Sequence, residues 1–240
     1  MRVHVITHVP FEGPAAVGSW AGTRGHDLAE TASVTEEYPD PSAVDLVVVM
    51  GGPMDADDEV ASPWLPAEKR FIAAVLADGA AVIGVCLGAQ ILAEVLGGHV
   101  KRNPQREIGW HEVRLTAAGR REPLLAAWPD AFVCGHWHGD TFDLPTGVET
   151  LASSDACANQ LFVAEGGRAV GIQVHLEWDE EGLSALVAAC DDELVDEGDF
   201  IESAEGMLRG VVQHGRTCRE LLYRLLDVVA DNARKANWGT

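Results

Sequence analysis

AAVIGVCLGAQILAEVLGG, residues 80–98, is the stretch on which the fold turns. It opens on the apolar run AAVIGVC, the pattern of a strand buried on both faces. LGAQILAEVLGG follows with no linker and reads as a helix that ends on glycine. The same pairing recurs upstream. DLVVVM, residues 45–50, is a second apolar run, and it stops at GGP. PWLPAEKRFIAAVLADGA carries a proline near its start, helical apolar spacing and a glycine at its end, so it reads as the helix between the two runs. Before them, RVHVITH (2–8) reads as the first strand and PAAVGSWAGT (14–23) as a short helix, and DLAETAS leads into a second strand. Strand and helix alternate, which predicts a doubly wound α/β sheet in this half of the chain.

Further on the pattern changes. WHEVRLT, AFVCGHWH, ETLASS, NQLFVAE and AVGIQVH are short strand-like pieces set apart by turn residues. They predict antiparallel additions and one strand that returns to the main sheet. From Asp179 the sequence turns helical, with EEGLSALVAACDDEL, then DFIESAEGMLRG, then VVQHGRTCRELLYRLLDVVADNARKAN. With no obvious linker, residues 1–240 read as one domain whose last part, about 181–240, is a helical C-terminal extension.

The chain carries a formal charge of -21, with Lys69, Lys101 and Lys235 as its only lysines. No basic footprint is present, so nucleic acid and anionic membranes are disfavoured as partners. The apolar runs are too short to span a bilayer, and MRVHVITHV lacks a signal-peptide pattern, so a cytoplasmic protein is expected. The five cysteines, Cys86, Cys134, Cys157, Cys190 and Cys218, are odd in number and widely spaced. Neither a disulfide framework nor a zinc site is suggested, and no cofactor is called for.

Gly84-x-Cys86-x-Gly88 has the form of a nucleophile elbow, with small residues flanking a strained turn from strand to helix. Such a turn lifts its central side chain at the carboxyl edge of the sheet, where open α/β sheets bind ligands. The helix beginning near Leu87 aims unpaired N–H groups and its positive end at the sulfur, which favours the reactive thiolate. Cysteine is also a common core residue, so the elbow alone leaves both roles open. Gln90, four residues on, shares a helix face with Cys86 and places an amide beside the thiol.

A nucleophilic cysteine is served by a histidine that a third group orients. In GIQVHLEWD, His175 follows a strand-like run and Glu177 stands two residues later, on the same side of an extended chain. In MGGPMD, residues 50–55, the backbone turns sharply at the same sheet edge. The N–H groups of Gly52 and Leu87 are placed to bind a developing oxyanion.

GVCLGAQ, MGGPMD and VHLE, in that order, resemble the class I, triad-type glutamine amidotransferases. EIGWHEV, HWHGDTFDLP and LASSDACANQ are similar to segments of the glutaminase part of GMP synthetase and of stand-alone proteins like it. The resemblance implies a flavodoxin-like, mostly parallel sheet. It also implies a Cys86–His175–Glu177 triad that hydrolyses the side-chain amide of glutamine through a γ-glutamyl thioester, with Gly52 and Leu87 as the oxyanion hole. Gln90 and the segment His138, Gly139 and Asp140 match positions that hold the amino-acid end of glutamine. The family usually has His-Pro-Glu, whereas Leu176 stands between His175 and Glu177 here. Leucine lifts the restraints that proline places on its own φ and on the residue before it.

Other constellations carry less. His136, His138 and Asp140 alternate as strand metal ligands would, but a polar substrate loop fits them better. DADDE (55–59) reads as an exposed loop, Trp110 as a lid over the cleft or a core residue, and 191–205 as a solvated helical face and connection. No P-loop is present. A glutaminase of this kind therefore calls for a synthetase partner in trans to use its ammonia. Two alternatives remain: a γ-glutamyl hydrolase acting on another γ-glutamyl compound, and a non-catalytic binding module of the same fold. An α/β-hydrolase fits less well, because there the acid precedes the histidine.

Overall fold

The computed structural model describes residues 1–34, 37–195 and 198–237. Arg2–Thr7 forms β1, Ala15–Arg24 α1, Asp27–Ala32 β2, Leu46–Val49 β3, Leu65–Ala77 α2, Ala81–Val85 β4 and Leu87–Val95 α3. His99–Leu115 (β5), Ala131–Asp143 (β6), Thr150–Ser153 (β7), Leu161–Ala164 (β8) and Ala169–Ile172 (β9) follow, then Glu180–Ala189 (α4) and Ala204–Asn237 (α5). The strands make one mixed sheet in the order β2-β1-β3-β4-β9-β8-β7-β5-β6. The ladders from β2 to β9 are parallel, and those from β9 through β8 and β7 to β5 and β6 are antiparallel.

The parallel half is doubly wound because its central strands are apolar on both faces. Every residue of β3 and β4 is buried. Alternate side chains point to opposite faces. Leu46 and Val48 join a core with Val17 and Trp20 of α1 and Leu222 and Leu226 of α5. Val47 and Val49 join a second core with Ile72 of α2 and Ile91 and Leu92 of α3. β9 is the returning strand, and it lies next to β4, so the elbow and the segment after β9 emerge side by side at the carboxyl edge.

Three boundaries differ from the expected ones. β5 begins at His99, well before Trp110. Its first part, HVKRNPQRE, is largely polar and mostly exposed, so no apolar alternation marks it, and its pairing with β6 shifts register between Arg102 and Glu107. α5 is one helix where two were expected. Gly210 does not end a helix there: a Cβ on it would strike the Trp110 indole, so the glycine permits close packing. Trp110 is accordingly a core residue, its Nε1–H donating to the Met207 carbonyl at 2.9 Å. Residues 191–205 are helical only at their ends, with a connection between. After a short 3₁₀ helix at Asp191–Val195, the chain runs beside β5, with Ile108 N–H donating to Phe200 O at 2.9 Å and Glu202 N–H to Ile108 O at 2.7 Å, before α5 begins at Ala204. Residues 196 and 197 of that stretch lie outside the described residues. Among the described residues, no helix is long and apolar enough to cross a membrane.

Candidate active site

The elbow is strained in the way its glycines suggest. Cys86 has φ 51° and ψ -107°, a left-handed backbone that side chains other than glycine rarely adopt. A Cβ on Gly84 would strike the Gly88 carbonyl, and one on Gly88 the Val49 carbonyl, so both neighbours must lack a side chain. Cys86 N–H donates to Ile172 O at 2.8 Å, which ties the elbow to β9. The sulfur is nearly buried at 6% exposure, 3.6 Å from the Trp137 carbonyl and 3.6 Å from Nε2 of Gln173.

His175 and Glu177 come from the segment between β9 and α4. β9 ends at Ile172, so it is not a strand pleat that keeps the two on one side. The segment is pinned instead to β6, with His175 N–H donating to Gly135 O at 2.8 Å and Gly135 N–H to His175 O at 3.3 Å. Trp178 stacks on the imidazole, with ring centres 4.2 Å apart and planes 12° from parallel. Gly135 is required beneath it, because a Cβ there would enter the indole. His175 Nδ1 lies 2.6 Å from Glu177 Oε1, and Leu176 N–H donates to Glu177 Oε2 at 2.9 Å. Burial alone would lower the imidazole's pKa, but Glu177 and the nearby Cys86 hold it well above the ordinary value. The elbow thiol and the imidazole thus line one cavity, with the carboxylate bonded to the far side of the ring.

Gly52 lines the same cavity as Cys86 and His175. The carbonyl of the preceding residue, Gly51, points away to Nδ1 of the buried His8 at 2.9 Å. His8 Nε2 lies 3.1 Å from Oε1 of Glu68, which is completely buried. Leu87 is the first residue of α3, and no side chain caps that helix, so its N–H is one of the groups without an intrahelical acceptor.

The substrate-holding candidates divide. Gln90 lines the cavity, and its Nε2–H donates to Gln173 Oε1 at 3.2 Å, so the two amides and the sulfur form a chain. Gly139 and Asp140 line the cavity too, with Asp140 held by Arg102 at 3.0 Å. Burial raises the Asp140 carboxyl, against the pull of Arg102. His138 also borders the cavity, yet its ring nitrogens face the fold: Nδ1 bonds the Asp140 carbonyl at 2.9 Å, and Nε2 lies 3.1 Å from Glu107. His136, His138 and Asp140 do not converge as the alternation allowed. Atoms of Glu107, His138 and Cys157 do lie within 4.8 Å of one another. There the carboxylate already accepts from Ser154 at 2.5 Å and Gln160 at 2.7 Å, which makes the cluster a buried hydrogen-bonded network. His136 is fully buried and stays neutral, its pKa pushed down to about 3 chiefly by burial.

Glu12, Gln173, Trp178 and Arg102 were not legible as site residues. Glu12 follows β1 in the PFEGP turn and borders the cavity beside Gly51 and His175. Its carboxyl is raised by burial, against the pull of His175. A carboxylate in a turn after a first strand is the one signal that pointed to it. The cavity occupies about 310 Å³, and its lining includes Glu12 and the exposed Arg102. Its geometry suits attack by a thiolate on a carbonyl carbon, with an imidazole to move the proton.

The family model described as glutamine amidotransferase class-I matches residues 26–183. The chain is 35% identical over 234 residues to the glutamine amidotransferase-like protein YfeJ of Salmonella typhimurium, covering 95% of this chain and 96% of that one. It is 35% identical over 146 residues to the glutamine-hydrolysing GMP synthase of Pectobacterium carotovorum, covering 55% of this chain and only 25% of the synthase. A crystal structure of a glutamine amidotransferase from Thermotoga maritima superposes with a TM-score of 0.86 at 29% identity, covering 96% of this chain and 98% of the other.

Proposed function

The chain belongs to the class I glutamine amidotransferase family, and from that premise we propose that it hydrolyses the side-chain amide of glutamine with Cys86 as nucleophile. His175 takes the thiol proton as sulfur bonds to the amide carbon. The N–H groups of Gly52 and Leu87 receive the negative charge that gathers on oxygen. As the C–N bond breaks, His175 delivers its proton to the departing ammonia, leaving a γ-glutamyl thioester. Water, deprotonated by the same imidazole, hydrolyses the thioester and releases glutamate. Glu177 stabilises the imidazolium formed at each stage. Gln90, Gly139 and Asp140 border the side of the cavity where the amino-acid end would lie. The observation that carries this reading is the 2.6 Å His175–Glu177 bond, with the imidazole lining the same cavity as Cys86 at its left-handed elbow.

The ammonia would pass to a synthetase in trans. The glutamine-hydrolysing GMP synthase, of which the match spans a quarter, supports that arrangement. A second reading, a hydrolase for larger γ-glutamyl amides, is favoured by the cavity's volume of about 310 Å³, which leaves room for a substituent on nitrogen. One trapping experiment tests the reaction class. A glutamine-analogue chloroketone is expected to add one γ-glutamyl-sized mass, located on Cys86 and absent from Cys86→Ala. No adduct on Cys86, together with no glutamate release from labelled glutamine, removes the proposal. Turnover of γ-glutamyl dipeptides but not of glutamine selects the second reading.

A further inference from the structure

We propose that His8, clamped by Glu68, is a positioning residue that holds the Gly51–Gly52 peptide with its N–H turned toward the reacting carbonyl. The inference rests on the function proposed above and assigns a role to a buried pair that the reaction itself does not use.

A trans peptide is planar, so its C=O and N–H point in opposite directions. No cis bond interrupts the chain here. The Gly51 carbonyl is drawn to His8 Nδ1 at 2.9 Å, on the side away from the cavity. Gly52 N–H, on the other end of the same plane, is thereby presented on the cavity side, where Gly52 stands with Cys86. Two consecutive glycines would otherwise let this peptide rotate at little cost. Crowding reinforces the hold, because a Cβ on Gly52 would already press on His8 and Leu87.

The clamp needs a donor on each ring nitrogen. Gly51 O can only accept, and Glu68 accepts at the other nitrogen. An imidazolium satisfies both. Burial disfavours that charge, but the bond to Glu68 outweighs it and holds the His8 pKa above the ordinary value. Glu68 is itself anchored by Ser33 and by Tyr38 at 3.0 Å, so the ring cannot swing without breaking a buried network. His8 and Glu68 are completely buried side chains, remote from solvent exchange.

The test separates acylation from alkylation. Attack on γ-glutamyl p-nitroanilide builds an oxyanion, whereas displacement of iodide from iodoacetamide at Cys86 does not. His8→Leu is expected to slow release of p-nitroaniline by about 10²–10³-fold, the cost of losing one oxyanion donor, with alkylation of Cys86 nearly unchanged. His8→Asn places its amide nitrogen close to the position of Nδ1 and is expected to recover most of the rate. His8→Gln reaches toward Glu68 instead and is expected not to. Equal acylation by wild type and His8→Leu overturns the proposal. So does a matched loss of both reactions, or equal rates for His8→Asn and His8→Gln. A wild type that neither cleaves the anilide nor releases glutamate from glutamine counts against the glutaminase reading itself. Cleavage of the anilide without turnover of glutamine leaves the His8 test standing while removing that reading.

Discussion

Two buried histidine–carboxylate pairs border the cavity, and they differ in what the second ring nitrogen meets. In His175–Glu177 one nitrogen takes the carboxylate at 2.6 Å, and the ring lines the same cavity as the Cys86 thiol. In His138–Glu107 the second nitrogen is bound to the Asp140 carbonyl at 2.9 Å, so neither is left for a reacting group. The carboxylates differ as well. Glu177 receives one backbone N–H besides the imidazole, whereas Glu107 accepts from Ser154 and Gln160 and lies 3.1 Å from His138 Nε2. The same two functional groups therefore serve opposite ends. On the proposed function the first pair gains and loses a proton. The second is turned into the fold, between the Asp140 carbonyl and Glu107, and ties β5 to β6. The lesson is to count partners at both ring nitrogens before assigning a role to a buried histidine.

The comparison is broken most forcefully at Glu177. Glu177→Gln keeps the shape and removes the charge that holds the His175 pKa high. The amide can also turn its NH₂ toward the ring and force the wrong tautomer. A loss of about 10³-fold or more in kcat is expected, with little change in unfolding midpoint. The His175 ring should also titrate at lower pH than in wild type, as read from its NMR signal. Wild-type turnover in Glu177→Gln would place the pair with its counterpart between β5 and β6.

Glu107→Gln probes the other side, where the effect is on stability. Burial would raise the Glu107 carboxyl, but the neighbouring His138 and the Ser154 hydroxyl hold it down at about 2. A folded-state pKa depressed from the ordinary carboxyl value of 4.5 stabilises the fold above the unfolded value. That contribution fades as pH falls through the range from 4.5 toward 2, where the native carboxylate is protonated too. The shift corresponds to about 3 kcal/mol at neutral pH. Urea unfolding of wild type and Glu107→Gln should differ by about this amount at neutral pH and converge on acidification. A gap that does not change with pH would assign the loss to packing rather than charge.

How much of this was legible depends on how far apart the partners lie in sequence. His175 and Glu177 are two residues apart, and the elbow glycines flank Cys86 directly, so pattern alone exposed them. The parallel half of the sheet was legible for the same reason: apolar strands buried on both faces leave an unbroken signature, as in DLVVVM and AAVIGVC. His138 and Glu107 are joined across the β5–β6 ladder, His8 and Glu68 across 60 positions, and no local period connects them. Gln173 was invisible because it stands beside the predicted His and reads as one more strand residue. The first part of β5 was missed because its side chains are polar and its strand character comes only from pairing with β6. Gly210 misled because a glycine that admits an indole looks the same as one that ends a helix.

The smallest expected effect concerns the residue in which this chain departs from the family pattern. Leu176 N–H donates to Glu177 Oε2 at 2.9 Å, a bond that proline, having no N–H, cannot make. The leucine side chain is buried at 1% exposure, so it also packs where a proline ring would leave space. Leu176→Pro would remove the donor but return the restraint on the backbone that proline supplies. These act in opposite directions on the same carboxylate. A hydrogen bond to a charged acceptor is worth about 1.5–3 kcal/mol, and the regained rigidity offsets part of it. A fall in kcat of about tenfold is therefore expected, with KM nearly unchanged because Leu176 does not line the cavity. Leu176→Ala keeps the N–H and should retain kcat while losing stability through the cavity it leaves. If Leu176→Ala lowers kcat as far as Leu176→Pro does, the amide bond is not what steadies Glu177, and the pair is held by packing around Leu176 instead.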